Sequence, residues 1–263
     1  MRWRSPPNPL TDDWPEGVAR HVLARTDSTN AEALRLAPDL RGPAWIMAHA
    51  QTAGRGRRGR GWSMQPGNFA ATLLTRPHGS PADASQLSFV AALALHEALG
   101  TVCGPAARLS IKWPNDVLLN NGKVAGILLE SAGSGTGIEA VAVGIGVNLA
   151  AAPDPAELEQ GATAPVSVLG EIGHVVTPED FLDLLAPAFA RWQHQLATWG
   201  FGPIRTAWMA RAARLGQIIT ARTGSTIRTG RFDGIDDSGA LILTTAAGRQ
   251  VIPAADIYFA EGA

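Results

Sequence analysis

The strongest constraint on the fold lies between residues 108 and 149. Aliphatic, strand-forming runs follow one another there, over 108–112, 116–120, 123–130 and 138–149. Asn121-Gly122 separates two of these runs, and Asn-Gly between apolar runs is the strongest short-range signal for a tight hairpin. A Gly/Ser-rich turn over 131–137 precedes the last run. The pattern therefore predicts an antiparallel meander.

Helical and further strand patterns flank this meander. Thr29 and Glu32 form a capping-box pattern, which predicts a short helix that ends by Pro38. A long amphipathic helix is expected to stop at Gly100, a plausible residue just beyond a helix end. The remaining predicted segments are strands over 18–25, 44–50 and 69–75 and helices over 85–99, 177–199 and 203–213.

The hydrophobic pattern changes after residue 215, where short strand-like runs replace the helical periodicity. These runs lie near 217–222, 226–235, 239–244, 249–253 and 256–259, which predicts a small C-terminal β-barrel. The expected fold class is α+β, with a mixed, largely antiparallel sheet and flanking helices. We expect an irregular arm over 1–17, a main domain over 18–214 and the barrel over 215–263, with 151–165 as a surface excursion.

Composition excludes several classes of protein. Hydrophobic residues make up 46% of the chain, enough for a sizeable core, and the formal net charge is −1, which gives no support for bulk nucleic-acid binding. Cys103 is the single cysteine, so an intramolecular disulfide or a thiolate-cluster metal site is excluded. The first residues lack a signal-peptide core, and no stretch resembles a membrane span. We expect a cytoplasmic protein.

Positive charge is concentrated in one run, residues 54–61, which contains four arginines and four glycines. Glycine permits close backbone approach, and the arginine fork suits carboxylates and phosphates. The run is therefore interpreted as a flexible loop that closes over a small anionic ligand. A solvated basic turn and a nucleic-acid contact are the alternatives. The formal dinucleotide-binding pattern Gly54-x-Gly56-x-x-Gly59 is weak, because Gly61, Pro66 and Gly67 deny the helix that it requires.

Four other polar clusters accompany this loop. Ser28-Thr29-Asn30 lies at a predicted helix N-terminus, where free N–H groups favour acceptors. A bulge at the end of a sheet is expected for Lys112-Trp113-Pro114-Asn115-Asp116, because proline disrupts strand pairing. Asn115 and Asp116 either stabilise this turn or contact a ligand or a metal ion. Lys123 opens a strand. Glycines within strands indicate close approach of a backbone or a ligand, and they are Gly126, Gly144 and Gly146, with Asn148 closing the last run.

Taken together and in this order, the motifs resemble those of bacterial biotin–protein ligases. They are Ser28-Thr29-Asn30, Gln51-x-x-Gly54-Arg55-Gly56-Arg57-Arg58-Gly59-Arg60-x-Trp62, Lys112-Trp113-Pro114-Asn115-Asp116, Lys123-Val124-Ala125-Gly126-Ile127-Leu128 and Gly144-x-Gly146-Val147-Asn148. The motifs cover residues 18–150, and the short β runs after residue 215 resemble the small SH3-like barrel of that family.

The resemblance implies an adenylate-forming ligase. Biotin and ATP, with Mg²⁺, are expected to give biotinyl-5′-AMP and pyrophosphate. A lysine of a biotin carboxyl carrier domain, such as that of acetyl-CoA carboxylase, then receives the biotin. Some relatives carry an N-terminal DNA-binding domain, and the segment before Ser28 is too short and too rich in proline for one. No DNA and no membrane partner is therefore expected, and no sequence feature decides between a monomer and a homodimer.

The resemblance also implies residue roles. The implied catalytic residues are Lys123, Arg57 and Asp116, and Asp116 is also the implied Mg²⁺ ligand. The implied biotin-binding residues are Ser28, Thr29, Asn30, Gln51, Gly54, Arg55, Gly56, Arg57, Lys123, Gly126 and Gly144. The implied ATP- and adenylate-binding residues are Arg55, Arg57, Arg58, Arg60, Trp62, Asn115, Lys123 and Asn148. Trp62 is expected to stack near adenine, and the strand glycines to give room beneath the ligand. A lipoate–protein ligase or octanoyltransferase is the alternative within the superfamily.

Overall fold

The structure is a computed structural model that describes residues 14–76, 80–133, 138–154 and 161–259. A seven-stranded sheet has the order β1-β2-β3-β7-β6-β5-β4, in which β1 and β2 pair in parallel and the other neighbours are antiparallel. Its strands are β1 (Ala19–Leu23), β2 (Ala44–Ala48), β3 (Phe69–Thr75), β4 (Leu109–Lys112), β5 (Asp116–Leu119), β6 (Gly122–Ala132) and β7 (Ala140–Val147). The predicted mixed, largely antiparallel sheet and its meander are confirmed.

The hairpin between β5 and β6 turns one residue earlier than its sequence predicts. Asn120 and Asn121 both have positive φ angles, of 49° and 72°, and Gly122 already pairs with Leu119 in the ladder. Asparagine tolerates the left-handed region, and two-residue turns of this kind require it at both central positions. Gly122 serves packing instead, because a Cβ there would lie 2.2 Å from a methyl group of Val166.

Six helices flank the main sheet in the described residues: α1 (Thr29–Leu36), α2 (Pro81–Ser85), α3 (Leu87–Cys103), α4 (Val168–Ile172), α5 (Pro178–Trp199) and α6 (Phe201–Met209). The short helices α2 and α4 were not predicted, and both ends of the helices predicted over 85–99 and 203–213 were wrong. Helix α3 continues past Gly100 to Cys103, because Val102 and Cys103 are still buried against the core. Helix α6 begins at Phe201, whose ring packs 5.2 Å from that of Phe89.

The two faces of the sheet carry separate hydrophobic layers. Alternate side chains of a strand point to opposite faces, so Trp45 and Met47 of β2 join the large core under α3 and α5, whereas Ala44 and Ile46 pack beneath α1. In the described part of the chain, one helical stretch, Ala82–Cys103, has the length and apolar composition of a membrane span, with a mean hydropathy of 1.3. Much of it is buried inside this core, as in a core helix of a folded domain.

A second sheet has five antiparallel strands in the order β11-β10-β9-β8-β12. Its strands are β8 (Ile218–Thr223), β9 (Thr226–Ile235), β10 (Leu241–Thr245), β11 (Gly248–Ile252) and β12 (Asp256–Phe259). The predicted C-terminal SH3-like barrel is confirmed. The indole N–H of Trp113, in the turn between β4 and β5, donates a hydrogen bond to the Gly239 carbonyl of this barrel at 2.9 Å. Strand β12 lies close to the 54–61 run, because Arg58 and Arg60 reach its Asp256.

The segment before α4 returns along the start of β6. The Lys123 amide donates to the Ala164 carbonyl at 2.8 Å, and the Val166 amide donates to the Lys123 carbonyl at 3.0 Å. The predicted surface excursion therefore ends in backbone pairing beside β6. Most of the predicted N-terminal arm, together with 134–137 and 155–160, lies outside the described residues.

Candidate active site

A cavity of about 490 Å³ lies between the main sheet, the N-terminus of α1 and β12. Its size is that of a small-molecule site. The sequence-predicted residues that line it are Ser28, Thr29, Asn30, Gln51, Arg55, Gly56, Arg57, Arg60, Trp62, Asn115, Asp116, Lys123, Gly126, Gly144, Gly146 and Asn148. Gly54 and Arg58 are outside this lining. The fold thus gathers most of the predicted set from segments that are far apart in sequence.

Lys123 and Asp116 form an ion pair at the floor of the cavity. Their strands β6 and β5 are neighbours, and the ladder shifts register between Val117 and Leu118. The Lys123 Nζ lies 2.8 Å from the Asp116 Oδ1 and 5.8 Å from the centre of the Trp62 ring. Both side chains are mostly shielded, so their charges act in an environment of reduced dielectric constant. The pair supplies one ammonium and one carboxylate at the same place.

Lys112 is a second lysine in this cavity, and sequence reasoning gave it no role. Its side chain is buried, its Nζ donates to the Thr163 Oγ1 at 2.8 Å, and it lies 4.9 Å from the centre of the Phe259 ring. Burial lowers the pKa of the Lys112 ammonium, which the nearby Asp116 carboxylate opposes. Lys112 and Lys123 are the two lysines of the sequence. That scarcity, in a chain otherwise rich in arginine, was a signal that could have identified Lys112.

The Gly/Arg run, which the sequence predicts to be a flexible loop, has a hairpin conformation in this structure. The Trp62 amide donates to the Gly54 carbonyl at 2.9 Å, and the Gly56 amide donates to the Arg60 carbonyl at 2.7 Å. A short 3₁₀ turn, Arg57–Gly59, forms its tip. We call residues 54–62 the arginine hairpin. Gly54 has a packing role, because a Cβ there would lie 2.5 Å from the Trp62 carbonyl oxygen.

Arg57 is the arginine of this hairpin that is directed toward the 113–116 turn. Its Nη1 lies 3.3 Å from the Asn115 Oδ1 and 3.4 Å from the Ala255 carbonyl oxygen. Burial lowers the pKa of the Arg57 guanidinium, and the carboxylates of Asp256 and Asp116 oppose this effect. Arginine keeps its charge at neutral pH even so, and Arg57 therefore adds a fixed positive charge to the cavity.

The other three arginines pair with carboxylates that sequence reasoning missed. The Arg55 Nη2 lies 3.1 Å from the Glu130 Oε2 on β6. Arg58 and Arg60 both reach the Asp256 Oδ2 on β12, at 2.9 Å and 2.7 Å. No sequence pattern connects these partners, because Asp256 lies 198 residues after Arg58. The hairpin is thus attached to both domains.

The strand glycines accommodate side chains of the protein itself. A Cβ on Gly146 or Gly126 would lie 2.4 Å or 3.1 Å from the Trp62 ring, and one on Gly144 would lie 2.1 Å from the Asn30 Oδ1. Sequence reasoning correctly indicated close approach at these positions. In this structure the Trp62 ring and the Asn30 side chain lie against these glycines, which also line the cavity.

The N-terminus of α1 presents polar groups to the cavity. Ser28 is the cap of the helix, and its Oγ faces the Ala31 amide, so the predicted cap, Thr29, is instead the first helical residue. The Thr29 amide donates to the Gln51 Oε1 at 2.8 Å. The Asn30 amide group donates to the Glu130 Oε2 at 2.8 Å. Asn30 therefore links α1 to β6, in addition to lining the cavity.

Asn148 provides an acceptor without a protein partner. Its side chain is 2% exposed, and its Nδ2 donates to the Val166 carbonyl at 3.0 Å. Within the described ranges, its Oδ1 and the Trp62 Nε1 are buried and accept or donate no hydrogen bond. Buried polar atoms are normally paired, so both atoms are suited to a bound ligand.

The acidic groups of the cavity do not form a dedicated metal cage. The described part of the chain contains no cluster of three histidine, cysteine or acidic side chains. Asp116 offers one nearly buried carboxylate beside Asn115. Mg²⁺ is commonly held by one or two carboxylates together with substrate phosphates. The residues present therefore fit an Mg²⁺ ion that enters with a nucleotide.

The fold and this cationic cavity define a ligase-type catalytic domain with an appended β-barrel. Residues 22–148 match the sequence model of the Biotin/lipoate A/B protein ligase family, and residues 215–260 match that of the Biotin protein ligase C terminal domain. The chain is 72% identical over 238 residues to the biotin–[acetyl-CoA-carboxylase] ligase of Paracoccus denitrificans, which covers 90% of this chain and 99% of that relative. The chain belongs to the biotin/lipoate protein ligase family.

More distant relatives agree with this assignment. The bifunctional ligase/repressor BirA of Bacillus subtilis (strain 168) is 34% identical over 244 residues, which cover 91% of this chain and 73% of that protein. A variant of the biotin protein ligase from Aquifex aeolicus in complex with biotin has a TM-score of 0.76 at 23% identity, covering 92% of this chain and 99% of that one. The same ligase with biotin and ATP gives 0.73 at 24% identity, covering 91% and 97%. These structures establish the fold.

Proposed function

We propose that this chain is a biotin–protein ligase. In the first step a biotin carboxylate oxygen attacks the α-phosphorus of ATP, which forms biotinyl-5′-AMP and releases pyrophosphate. In the second step the amine of a carrier-domain lysine attacks the biotinyl carbonyl, forms the amide and releases AMP and a proton. The observation that carries the proposal is the Lys123–Asp116 pair, at 2.8 Å, inside a cavity covered by the arginine hairpin.

Charge neutralisation is the main task of the first step. A carboxylate and a triphosphate repel each other. Positive groups that are fixed beside the reacting atoms, in a site that excludes water, stabilise the transition state more than the same groups free in water would. Lys123 is assigned to contact the biotin carboxylate and the α-phosphate. Arg55 and Arg57 are assigned to cover the biotinyl and phosphate groups with positive charge. To act in this way, Lys123 exchanges its Asp116 partner for the substrates.

The two substrates are assigned to opposite ends of the cavity. Ser28, Thr29 and Gln51, at the N-terminus of α1, are assigned to the polar atoms of the biotin ring. Trp62 and Asn148 are assigned to the nucleotide. The unpaired Asn148 Oδ1 supports this assignment, because it can accept from a ribose hydroxyl or the adenine amino group.

Asp116 is the residue assigned to Mg²⁺, next to Asn115. When bound, the ion neutralises phosphate charge and polarises the phosphoryl group. In the transfer step, we assign Asp116 to orient the incoming lysine amine and to accept its proton. The arginine hairpin then excludes water from the mixed anhydride, which otherwise hydrolyses.

Biotin is favoured over lipoate as the substrate. The family includes ligases for both. The C-terminal match over 215–260 and the 72% identity to a biotin ligase support biotin. Pairing of Arg58 and Arg60 with Asp256 argues against the nucleic-acid alternative, because these arginines would have to leave that carboxylate to contact phosphates. The acceptor in this proposal is a biotin carboxyl carrier domain, with the catalytic domain at 18–214, the barrel at 215–263 and a cytoplasmic location.

Intact-mass spectrometry tests the proposal. The protein is mixed with Mg-ATP, a biotin carboxyl carrier domain and either biotin or lipoate. One biotin on the carrier, absent when ATP is omitted, is the expected result. The proposal is refuted if the carrier domain stays unmodified in the presence of biotin. It is also refuted if the carrier domain is modified by lipoate and not by biotin.

A further inference from the structure

The arginine hairpin contacts the C-terminal barrel mainly through the Asp256 carboxylate, and also through the Ala255 carbonyl oxygen, which lies 3.4 Å from the Arg57 Nη1. Asp256 is the first residue of β12 and follows Ala255, which is fully buried. Its side chain is 12% exposed, and its Oδ2 lies 2.9 Å from the Arg58 Nη1 and 2.7 Å from the Arg60 Nη2. A nearly buried carboxylate between two guanidiniums makes charge-assisted hydrogen bonds, which are stronger than neutral ones.

Arg58 has a backbone conformation that calls for an explanation. Its φ and ψ angles are 57° and 33°, the left-handed region that residues with a side chain adopt reluctantly. Glycine fits this position without cost. Arg58 is also outside the cavity lining. The contact of its side chain with Asp256 is therefore the feature that accounts for an arginine here.

The barrel end of the hairpin is also where its charges are crowded. Arg57, Arg58 and Arg60 lie within one short turn, and like charges at this spacing repel one another. The base of the hairpin is secured separately, by the Arg55–Glu130 pair at 3.1 Å on the main sheet. Loss of the Asp256 charge leaves this base attached and removes the two described ion pairs that join the tip to the barrel.

We propose that Asp256 is a positioning residue that keeps the arginine hairpin closed, and that the C-terminal barrel thereby sets how long the cavity retains its activated intermediate. This inference rests on the proposed function for the identity of the intermediate. Asp256 acts through Arg58 and Arg60 and touches neither reacting atom. The barrel is in this way coupled to catalysis without supplying a catalytic residue.

The Asp256→Asn variant tests the proposal, because it keeps the shape of the side chain and removes its charge. The first measurement is limited trypsin digestion of the ligand-free protein, with mass spectrometry of cleavage after Arg57, Arg58 and Arg60. The second is the rate at which radiolabelled biotinyl-adenylate leaves the protein. Both rates are expected to rise about tenfold, which corresponds to about 1.4 kcal/mol. The thermal unfolding temperature reports any general loss of stability.

Asp233→Asn is the matched control. Asp233 lies on β9 of the same barrel and pairs with Arg231 at 2.7 Å, and its removal is expected to leave both rates unchanged. Arg58→Gln breaks the same contact from the hairpin side. Arg58→Gln leaves the Arg60–Asp256 pair in place and removes one trypsin site, so its cleavage is compared after Arg57 and Arg60. Cleavage and adenylate release are both expected to rise, by less than in Asp256→Asn, and the double variant should be no faster than Asp256→Asn. If Asp256→Asn does not fold, Arg58→Gln decides the question.

Wild-type cleavage in Asp256→Asn and Arg58→Gln overturns the proposal. So does faster cleavage without faster release, since the barrel would then not govern retention. If the wild-type protein forms no adenylate at all, the proposed function fails, whereas the trypsin comparison still reports whether Asp256 closes the hairpin.

Discussion

The Lys123 ammonium lies 2.8 Å from the Asp116 carboxylate, across the shifted register that joins β6 to β5. This contact holds a cation at the floor of the cavity before substrates enter. It also means that Asp116 loses its partner when Lys123 turns to a substrate. The two side chains are therefore expected to be functionally coupled.

Lys123→Ala is expected to lower the rate of adenylate formation by a factor of about 100–1000, because a fixed charge at the reacting atoms is lost. Biotin-dependent ATP–pyrophosphate exchange measures this rate. Arg20→Ala is the control. Arg20 lies on β1 and makes a solvent-accessible ion pair with Asp183 of α5, so this variant should retain wild-type exchange. Wild-type exchange in a folded Lys123→Ala protein contradicts the assigned role.

Arg57→Ala is expected to weaken retention of the adenylate, because a mostly buried guanidinium beside Asn115 is removed from the cover of the cavity. Release of labelled biotinyl-adenylate should accelerate about tenfold, a typical effect of one charge-assisted hydrogen bond. Arg249→Ala, on an exposed position of β11, is the comparison. Equal release from both variants indicates that Arg57 does not cover the intermediate.

Gly146→Ala is expected to displace the Trp62 indole, because the added Cβ would lie 2.4 Å from the ring on a rigid central strand. The KM for ATP should rise at least about tenfold, with a smaller change for biotin, given a base-stacking contribution of about 1–3 kcal/mol. Gly202→Ala is the matched control, since nothing lies within 4 Å of a Cβ there and the residue is helical. It should be neutral or stabilising. Unchanged ATP kinetics in Gly146→Ala argue against a nucleotide role for Trp62.

Lys112 gives the protein a distinct dependence of stability on pH. Burial lowers the pKa of its ammonium in the folded protein below the ordinary value of 10.5. At pH values between the folded and the unfolded pKa, the unfolded chain therefore binds more protons than the folded protein. The free energy of unfolding then rises with pH across that window. Lys112→Met is expected to flatten this rise, in chemical unfolding measured at several alkaline pH values. If the free energy of unfolding depends on pH equally in Lys112→Met and in the wild-type protein, folding does not lower the pKa of Lys112.

Local patterns in the sequence predicted much of the fold. Strand β3 begins and ends at its predicted residues, Phe69 and Thr75, because a short apolar run between turn residues has few alternatives. Helix ends were less accurate. Gly100 resembles a stop signal, yet α3 continues because tertiary burial of Val102 outweighs the local preference.

The sequence by itself determined the order of the strands and of the longer helices, the motif residues that line the cavity and the concentration of positive charge in residues 54–61. The tertiary structure alone decided which groups face that charge. Glu130 and Asp256 lie in ordinary strand sequence, and only the folding of distant segments against each other brings them to Arg55, Arg58 and Arg60. Likewise, the strand glycines indicated close approach, but only packing selected Trp62 and Asn30 to fill the space. Local preferences act over a few residues, whereas these contacts join residues that are 75 to 198 positions apart.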